Sequence, residues 1–454
     1  MVLKSINPYT EEVNWEYDTF SFEECEAHIK KSRESFLEWS SLSVEERTKY
    51  LAKAAEVLRK NFDFYAEIIT KEMGKPIKQS RAEVQKCAQV CDYYAENAVE
   101  FLKDELVDTG VEKSYVTFEP LGVIFGIMPW NFPFWQVFKF AISAMRAGNV
   151  CVLKHASNVP RSAIEVEKVF LKAGFPEYVF KTLLIDSKTA MDIIKEDMVD
   201  GISLTGGINT GSRIGELAGR FIKPIVMELG GSDPFIVLED ADIEKTAQVA
   251  AKSRFRNTGQ GCNAAKRFIV LESIADDFTK AFEQEVNKLK VGDPMDEETD
   301  IGPVAKRELL EELEAFIEDA VKKGAKPFIC GEDCEKGFFF KPTIIHAASP
   351  DMDVCNVEVF GPIAPIITVK DEEEAVKVAN STELGLGAQV WSRDLDRAEK
   401  LARRIKAGFA AVNGMVRSDP RLPFGGIKKS GVGRELSHYG LKQFTNIKAM
   451  VVNK

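Results

Sequence analysis

The chain has 454 residues, 60 of them basic and 71 acidic, which gives a formal net charge of −11. This balance argues against nucleic acid or an anionic membrane as a partner, because both attract basic surfaces. The length and the 45% share of hydrophobic residues predict two or three domains with well-filled cores. The first twenty residues lack an apolar signal segment, so we expect a cytoplasmic protein.

Helical periodicity covers residues 45–104, with interruptions near Gly74 and Pro76, and two strands follow around Pro120 and Gly122. Strands and helices then alternate, which predicts βαβ units and a parallel sheet. The strands are expected at 149–154, 180–186, 201–205 and 224–229, and the helices at 135–147, 161–173, 188–197 and 210–221. A second α/β series begins after Gly230 and Gly231 and ends near a strand at 408–414.

A glycine-rich turn, "GGINTG" at 206–211, lies between the strand at 201–205 and the following helix. The N–H groups at a helix N-terminus can receive a pyrophosphate. The turn lacks the Lys-Ser/Thr ending of a P-loop, so a purely structural turn is an equal alternative.

Two residues are candidates for chemistry. Cys262 lies in "GQGCNAAKR", where glycines permit an exposed bend and Lys266 and Arg267 could favour a thiolate. The alternative is a small buried side chain, which is the usual role of a free cysteine. Glu228 ends an apolar strand in "VMELGGS", where its carboxylate is either a general base or a solvated strand end. The eight cysteines and four histidines form no zinc-type pattern, so no metal site is expected.

Read together, seven segments resemble the aldehyde dehydrogenase superfamily in order and spacing. They are "MPWNFPFW" (128–135), "LKHASNVP" (153–160), "SLTGGINTG" (203–211), "MELGGSDP" (227–234), "NTGQGC" (257–262), "EVFGP" (358–362) and "PFGGIKKSGVGRE" (423–435). The resemblance implies an α/β fold with a Rossmann-like cofactor domain, an α/β catalytic domain and a small β oligomerisation arm. The implied boundaries are 1–107 with 123–229, then 230–435, then 108–122 with 436–454.

The resemblance also implies the catalytic roles. Cys262 matches the nucleophilic thiol, Asn131 the amide that stabilises the oxyanion, and Glu228 the base that activates water for thioester hydrolysis. A stand-alone cysteine hydrolase is a weaker alternative, because no histidine lies in a Cys-His protease context. A member that passes the thioester to coenzyme A is another, and Glu228 argues against it.

For the cofactor, the resemblance implies a groove that binds a nicotinamide dinucleotide. The matching residues are Trp130, Lys154, Ser157, Gly207, Gly211, Glu358 and Phe360. Ser157 stands where NAD-preferring members commonly have a glutamate, which would repel a 2′-phosphate. We therefore expect NADP to be preferred, with NAD as the alternative.

For the substrate, the chain is most similar to NADP-preferring succinate-semialdehyde dehydrogenases. The resemblance implies that Arg256, Ser418 and position 139 hold the remote carboxylate, but position 139 is Lys139 here instead of the expected arginine. A lysine is a point charge without the planar fork of arginine, so lactaldehyde or another small neutral aldehyde remains an alternative. The arm implies a homodimer or homotetramer in which segments 108–122 and 436–454 pair across subunits.

Overall fold

A computed structural model describes residues 2–331, 334 and 336–454. The chain starts with a hairpin, four helices and two strands of a separate small sheet. They are β1 (Val2–Ile6), β2 (Val13–Asp18), α1 (Phe22–Ser41), α2 (Val44–Lys60), α3 (Phe62–Met73), α4 (Ile77–Phe101), β3 (Glu105–Leu106) and β4 (Lys113–Pro120). The helix α3 ends at Gly74, whose φ of 76° is left-handed. The predicted helix break at this glycine is confirmed.

A first sheet, largely parallel, follows from alternating strands and helices. Its elements are β5 (Val123–Met128), α5 (Trp135–Arg146), β6 (Val150–His155), α6 (Pro160–Lys172), β7 (Phe180–Thr182), α7 (Ser187–Ile193), β8 (Gly201–Thr205), α8 (Ile208–Arg220) and β9 (Ile225–Glu228). The parallel strands lie in the order β9, β8, β5, β6, β7. Helices cover both faces of this sheet, which explains why its strands are nearly continuous apolar segments in the sequence. The predicted strand 180–186 is shorter, because only residues 180–182 pair with β6.

A second sheet carries the other half of the chain. Its elements are β10 (Asp233–Val237), α9 (Ile243–Phe255), β11 (Ala265–Leu271), α10 (Ala275–Asn287), α11 (Glu308–Lys322), β12 (Lys326–Ile329), β13 (Thr343–His346), α12 (Asp353–Asn356), β14 (Ile363–Val369), α13 (Glu372–Asn380), β15 (Gly387–Trp391), α14 (Leu395–Ala402) and β16 (Phe409–Val412). The order is β12, β13, β14, β11, β10, β15, β16, and only the β12–β13 pair is antiparallel. Separate apolar clusters contain residues from these strands.

The chain then returns to the first sheet through β17 (Gly431–Val432) and continues as α15 (Ser437–Leu441) and β18 (Thr445–Val452). In β17, Gly431 pairs with Glu228 of β9 in antiparallel register. The expected domain 230–435 therefore gives its last residues to the sheet of the other domain. This crossing brings Glu435 close to Glu228.

The small third sheet contains β3, β4 and β18. The strand β18 pairs with β4 along its whole length, from Thr445 opposite Pro120 to Val452 opposite Lys113. This pairing lies within one chain, and the expected pairing of these segments across subunits stays a prediction. Ile447 and Val451 of β18 are exposed. Among the described residues, no helix is long and apolar enough to cross a bilayer.

Candidate active site

The thiol of Cys262 lies in a strained loop between α9 and β11. Asn257, Thr258 and Gly259 have φ values of 54°, 55° and 72°, so three consecutive residues are left-handed. A Cβ at position 259 would overlap the main chain of Gly361, so both the conformation and the space require glycine. Left-handed non-glycine residues cost about 1–2 kcal/mol each. The surrounding hydrogen bonds must therefore fix this loop.

Those hydrogen bonds connect the thiol loop to the loop after β5. The Nδ2 of Asn257 donates to the main-chain oxygen of Asn131 at 2.9 Å, and the Nδ2 of Asn131 donates to the main-chain oxygen of Gln260 at 3.1 Å. Within the described part of the chain, the Cys262 backbone N–H and the second N–H of the Asn131 amide have no acceptor. These two donors are available for an oxyanion formed at Cys262.

The surroundings of the thiol favour its protonated form. Burial, followed by the charge of the nearby Glu228, raises the pKa of Cys262 well above its usual value. Lys139 and Lys266 oppose this shift without reversing it. A base must therefore remove the thiol proton, and the Glu228 carboxylate lies beside it with one buried oxygen that has no partner among the described groups.

The other carboxylate oxygen of Glu228, Oε2, belongs to a buried ionic cluster. Lys139 Nζ lies 2.9 Å from Glu228 Oε2 and 2.5 Å from Glu435 Oε2, and all three side chains are at most 5% exposed. Burial works against the charge of Lys139, but the two carboxylates outweigh it and raise the pKa of this ammonium. Burial also raises the pKa of Glu435 to about 7, despite the opposing charge of Lys139. The cluster can therefore take up or release a proton near neutral pH at Glu435.

This cluster gives Lys139, which also lines the cavity next to the thiol, partners that the sequence analysis did not expect. Sequence reasoning placed its ammonium on the remote carboxylate of the substrate, whereas the structure engages it with two carboxylates of the protein. The reason is the β17 pairing, which brings Glu435 to the end of β9. No sequence pattern signalled Glu435 as a site residue, although it ends the segment "PFGGIKKSGVGRE".

Lys266 fixes the backbone on the other side of the thiol. Its ammonium is buried and donates to the carbonyl of Gly261 at 2.9 Å, to that of Cys262 at 2.7 Å and to Glu358 Oε1 at 3.2 Å. Lys266 therefore connects the thiol loop to Glu358, and its effect on the thiol pKa is minor. Arg267 instead donates to main-chain carbonyls of Ser232 and of residues 378–379, away from the thiol.

Glu358 and its neighbours form one side of a groove that fits a nicotinamide nucleotide. The Glu358 carboxylate also accepts from the Gly231 N–H at 3.1 Å, and a Cβ at Gly230 would overlap it. Trp130 and Phe360 meet edge to face, with ring centroids 5.5 Å apart. A fixed carboxylate next to two aromatic walls suits a ribose and its planar base.

The remaining predicted cofactor residues follow the strands of the first sheet. Gly207 precedes α8, and a Cβ there would meet no atom, so the helix N-terminus is open to a ligand. Gly211 has a different environment, because a Cβ would meet Leu229, and its small size serves helix packing. Lys154 lies in β6, and burial followed by the charge of Lys306 lowers the pKa of its ammonium. Ser157 is exposed just after that strand.

Cys262 also lines a cavity of about 1260 Å³. Arg256 and Ser418 line it, as predicted, and the Arg256 guanidinium lies 5.8 Å from the ring centre of Phe132. Lys86 of α4 also lines it and donates to Ser418 Oγ. Sequence reasoning missed Lys86. The sequence offered no signal for it, because a lysine is an ordinary residue in an amphipathic helix such as α4 and the partners of Lys86 lie far away in the chain.

Comparison with known proteins agrees with this architecture. The model of the aldehyde dehydrogenase family matches residues 1–450. A protein of Synechocystis sp. named probable succinate-semialdehyde dehydrogenase (NADP+) is 44% identical over 451 residues, 99% of each chain. A Mycobacterium tuberculosis protein named succinate-semialdehyde dehydrogenase (NADP+) 1 is 42% identical over 454 residues, 99% of each chain.

Solved structures agree as well. The crystal structure of succinic semialdehyde dehydrogenase from Streptococcus pyogenes in complex with NADP+ superposes with a TM-score of 0.97 at 36% identity and covers 100% of both chains. The fold class and the family expected from the seven segments are thus confirmed. The chain belongs to the aldehyde dehydrogenase family.

Proposed function

We propose that this protein oxidises succinate semialdehyde to succinate, with NADP+ as the preferred cofactor. The observation that carries the proposal is a guanidinium, that of Arg256, which lines the same cavity as the Cys262 thiol and has no ion pair within the described part of the chain. An uncompensated cation in a cavity favours an anionic ligand. The names of the 44% and 42% identical relatives support the same substrate and cofactor.

The first step is attack by the thiol on the aldehyde carbon. Glu228 takes the proton of Cys262, which the raised pKa of the thiol requires. The new C–S bond leaves a negative charge on the carbonyl oxygen. The second N–H of the Asn131 amide and the Cys262 N–H, neither of which has an acceptor within the described part of the chain, donate to that oxygen.

When bound, a nicotinamide nucleotide supplies the hydride acceptor that converts the thiohemiacetal into a thioester. Glu228 then acts on water, which attacks the thioester carbon and releases the acid and the thiol. The proton that Glu228 collects has an exit, since Lys139 connects this carboxylate to Glu435, whose pKa is about 7.

Ser157 supports NADP+, because a hydroxyl leaves room for the 2′-phosphate and Lys154 adds a positive charge on the same strand end. The variant Ser157→Glu tests this. We expect the KM for NADP+ to rise by about 10- to 100-fold from charge repulsion and loss of a charge-assisted hydrogen bond, with NAD+ affected much less. A lower KM for NAD+ than for NADP+ in the unmodified enzyme would contradict the preference.

The substrate is tested by comparing kcat/KM for succinate semialdehyde, butanal and lactaldehyde. We expect succinate semialdehyde to have the highest value and Arg256→Ala to remove that advantage alone. If a neutral aldehyde is preferred and Arg256→Ala leaves the ranking unchanged, the substrate is a small neutral aldehyde. Product analysis with and without coenzyme A distinguishes hydrolysis from acyl transfer.

We further propose a homodimer or homotetramer that forms through the sheet of β3, β4 and β18. The exposed apolar residues Leu106, Ile447, Val451 and Val452 support this, since such a sheet face is usually covered. None of the cysteines that the structure describes forms a disulfide, which supports the proposed cytoplasmic location. Light scattering of the purified protein tests the oligomeric state.

A further inference from the structure

The cavity beside Cys262 has an excess of positive charge at one end. Three cations lie near one another there, Lys86, Arg256 and Arg417, and Lys252 also lines the cavity without an ion pair among the described residues. Every carboxylate that lines the cavity is paired with a cation other than these three. The pairs are Glu83 with Lys75, Glu228 with Lys139, Glu285 with Lys288, Asp300 with Lys78 and Asp419 with Arg421. Within the described residues, the three cations thus have no carboxylate of their own.

Lys86 is the best positioned of the three for a ligand. It projects from α4, its ammonium donates to Ser418 Oγ, and it lies 3.8 Å from the ring centre of Trp135. An ammonium has three N–H donors, and the hydroxyl accepts only one. The aromatic ring covers one side of the charge without neutralising it.

The carboxylate of Asp419, which follows Ser418 in the chain, feels the charge of Lys86 but is ion-paired with a different cation. Asp419 accepts from Arg421 Nε at 2.8 Å and from its terminal nitrogen at 2.7 Å, a bidentate pair within the loop. Arg256 adds a second positive charge, and within the described part of the chain its guanidinium contacts the Phe132 ring and has no ion pair. Burial, followed by the repulsion of Arg256 and Lys139, lowers the pKa of Lys86 to about 7. A bound anion would offset this electrostatic repulsion.

We propose that Lys86 is a specificity-determining residue that binds the remote carboxylate of the substrate together with Arg256 and Ser418. Lys86 thereby takes the place that sequence reasoning had assigned to Lys139. This inference rests on the proposed function, since it presupposes an aldehyde with a remote carboxylate. It predicts that the carboxylate oxygens meet one ammonium, one guanidinium and one hydroxyl.

The test is the variant Lys86→Met, which keeps the length of the side chain and removes its charge. With NADP+ as cofactor, we expect the KM for succinate semialdehyde to rise by about 10- to 100-fold, the contribution of a charge-assisted hydrogen bond, with kcat little changed. The kinetic constants for butanal should stay unchanged, because it has no carboxylate. Lys86→Arg should restore much of the affinity.

The matched control is Lys78→Met, on the same helix, where the lysine is paired with Asp300 at 2.7 Å. It removes the same charge, but both members of this pair are about one-third exposed, so solvent screens the carboxylate that is released and the KM for succinate semialdehyde should change by less than about twofold. Inhibition by succinate provides a measurement that is independent of turnover. Its inhibition constant should rise with Lys86→Met, and thermal unfolding checks that each variant is folded.

The outcomes separate the two proposals. If the unmodified enzyme does not prefer succinate semialdehyde over butanal, the proposed function is wrong. The proposed role of Lys86 is then wrong as well. If the preference exists but persists in Lys86→Met, or if both aldehydes lose equally, only the role of Lys86 is wrong. A selective loss with succinate semialdehyde and with succinate supports it.

Discussion

Two groups of charged side chains flank Cys262, and they differ in how their charges are balanced. In the buried cluster, the ammonium of Lys139 contacts the carboxylates of Glu228 and Glu435. Elsewhere in the cavity, Lys86 and Arg256 have a hydroxyl and aromatic rings as their close partners among the described residues. One group is compensated within the protein and the other is not.

This difference separates chemistry from recognition. A buried cation between two carboxylates is stabilised in the free enzyme, and it keeps the base Glu228 in place with a route for protons. Cations without a counter-ion remain costly until an anion binds, so binding energy is released when the correct ligand arrives. The compensated cluster should therefore control turnover and stability, and the uncompensated one substrate affinity.

The largest expected effect concerns the base of the compensated cluster. Glu228→Gln keeps the shape of the side chain and an oxygen for Lys139, but it cannot accept a proton. We expect kcat to fall by about 10²–10⁴-fold, because thiol deprotonation and thioester hydrolysis both lose their base. The measurement is steady-state formation of NADPH with saturating succinate semialdehyde. The KM should change little, and an unchanged kcat would remove Glu228 from the mechanism.

The second prediction concerns the cation of the same cluster. Lys139→Met leaves two buried carboxylates without a partner, so the free energy of unfolding should fall by about 3–5 kcal/mol. Urea denaturation measures this change. Lys139→Arg is the control that keeps the charge and should lose far less. Equal stability of Lys139→Met and the unmodified protein would show that the ammonium does not hold the cluster together.

The third prediction concerns the same kind of substitution, a cation replaced by methionine, in the uncompensated group. Arg256→Met removes a cation that has no counter-ion, so the free energy of unfolding should stay the same or increase. The KM for succinate semialdehyde should nevertheless rise by about 10- to 100-fold, equivalent to about 1.5–3 kcal/mol. Urea denaturation and initial rates measure the two quantities. A loss of stability similar to that of Lys139→Met would erase the difference between the groups.

The contrast between these groups also marks what the sequence could predict. The strand and helix order followed from local periodicity, and Cys262 and Glu228 stood out because glycines and strand ends surround them. The partners of Lys139 could not be read in this way, since Glu435 reaches it only through the long-range pairing of β17 with β9. The partners of Lys86 could not be predicted either, because Trp135 and Ser418 lie far away from it in the sequence.

The smallest expected effect is a dependence of anion affinity on pH. Burial, with the charges of Arg256 and Lys139, lowers the pKa of Lys86 to about 7, and the smaller effects of Cys87 and Glu83 act in the opposite direction. The other charged group nearby, Asp419, is engaged by Arg421. Lys86 is therefore charged below this pKa and loses its proton as the pH rises.

Binding of succinate should weaken by up to about tenfold between pH 6 and pH 8, because the neutral amine no longer attracts the carboxylate. The inhibition constant of succinate against butanal oxidation measures this. In Lys86→Arg the guanidinium stays charged, so the change over the same range should be much smaller. If Lys86→Arg retains the full pH dependence, another group titrates there, and the uncompensated end of the cavity does not depend on the charge of Lys86.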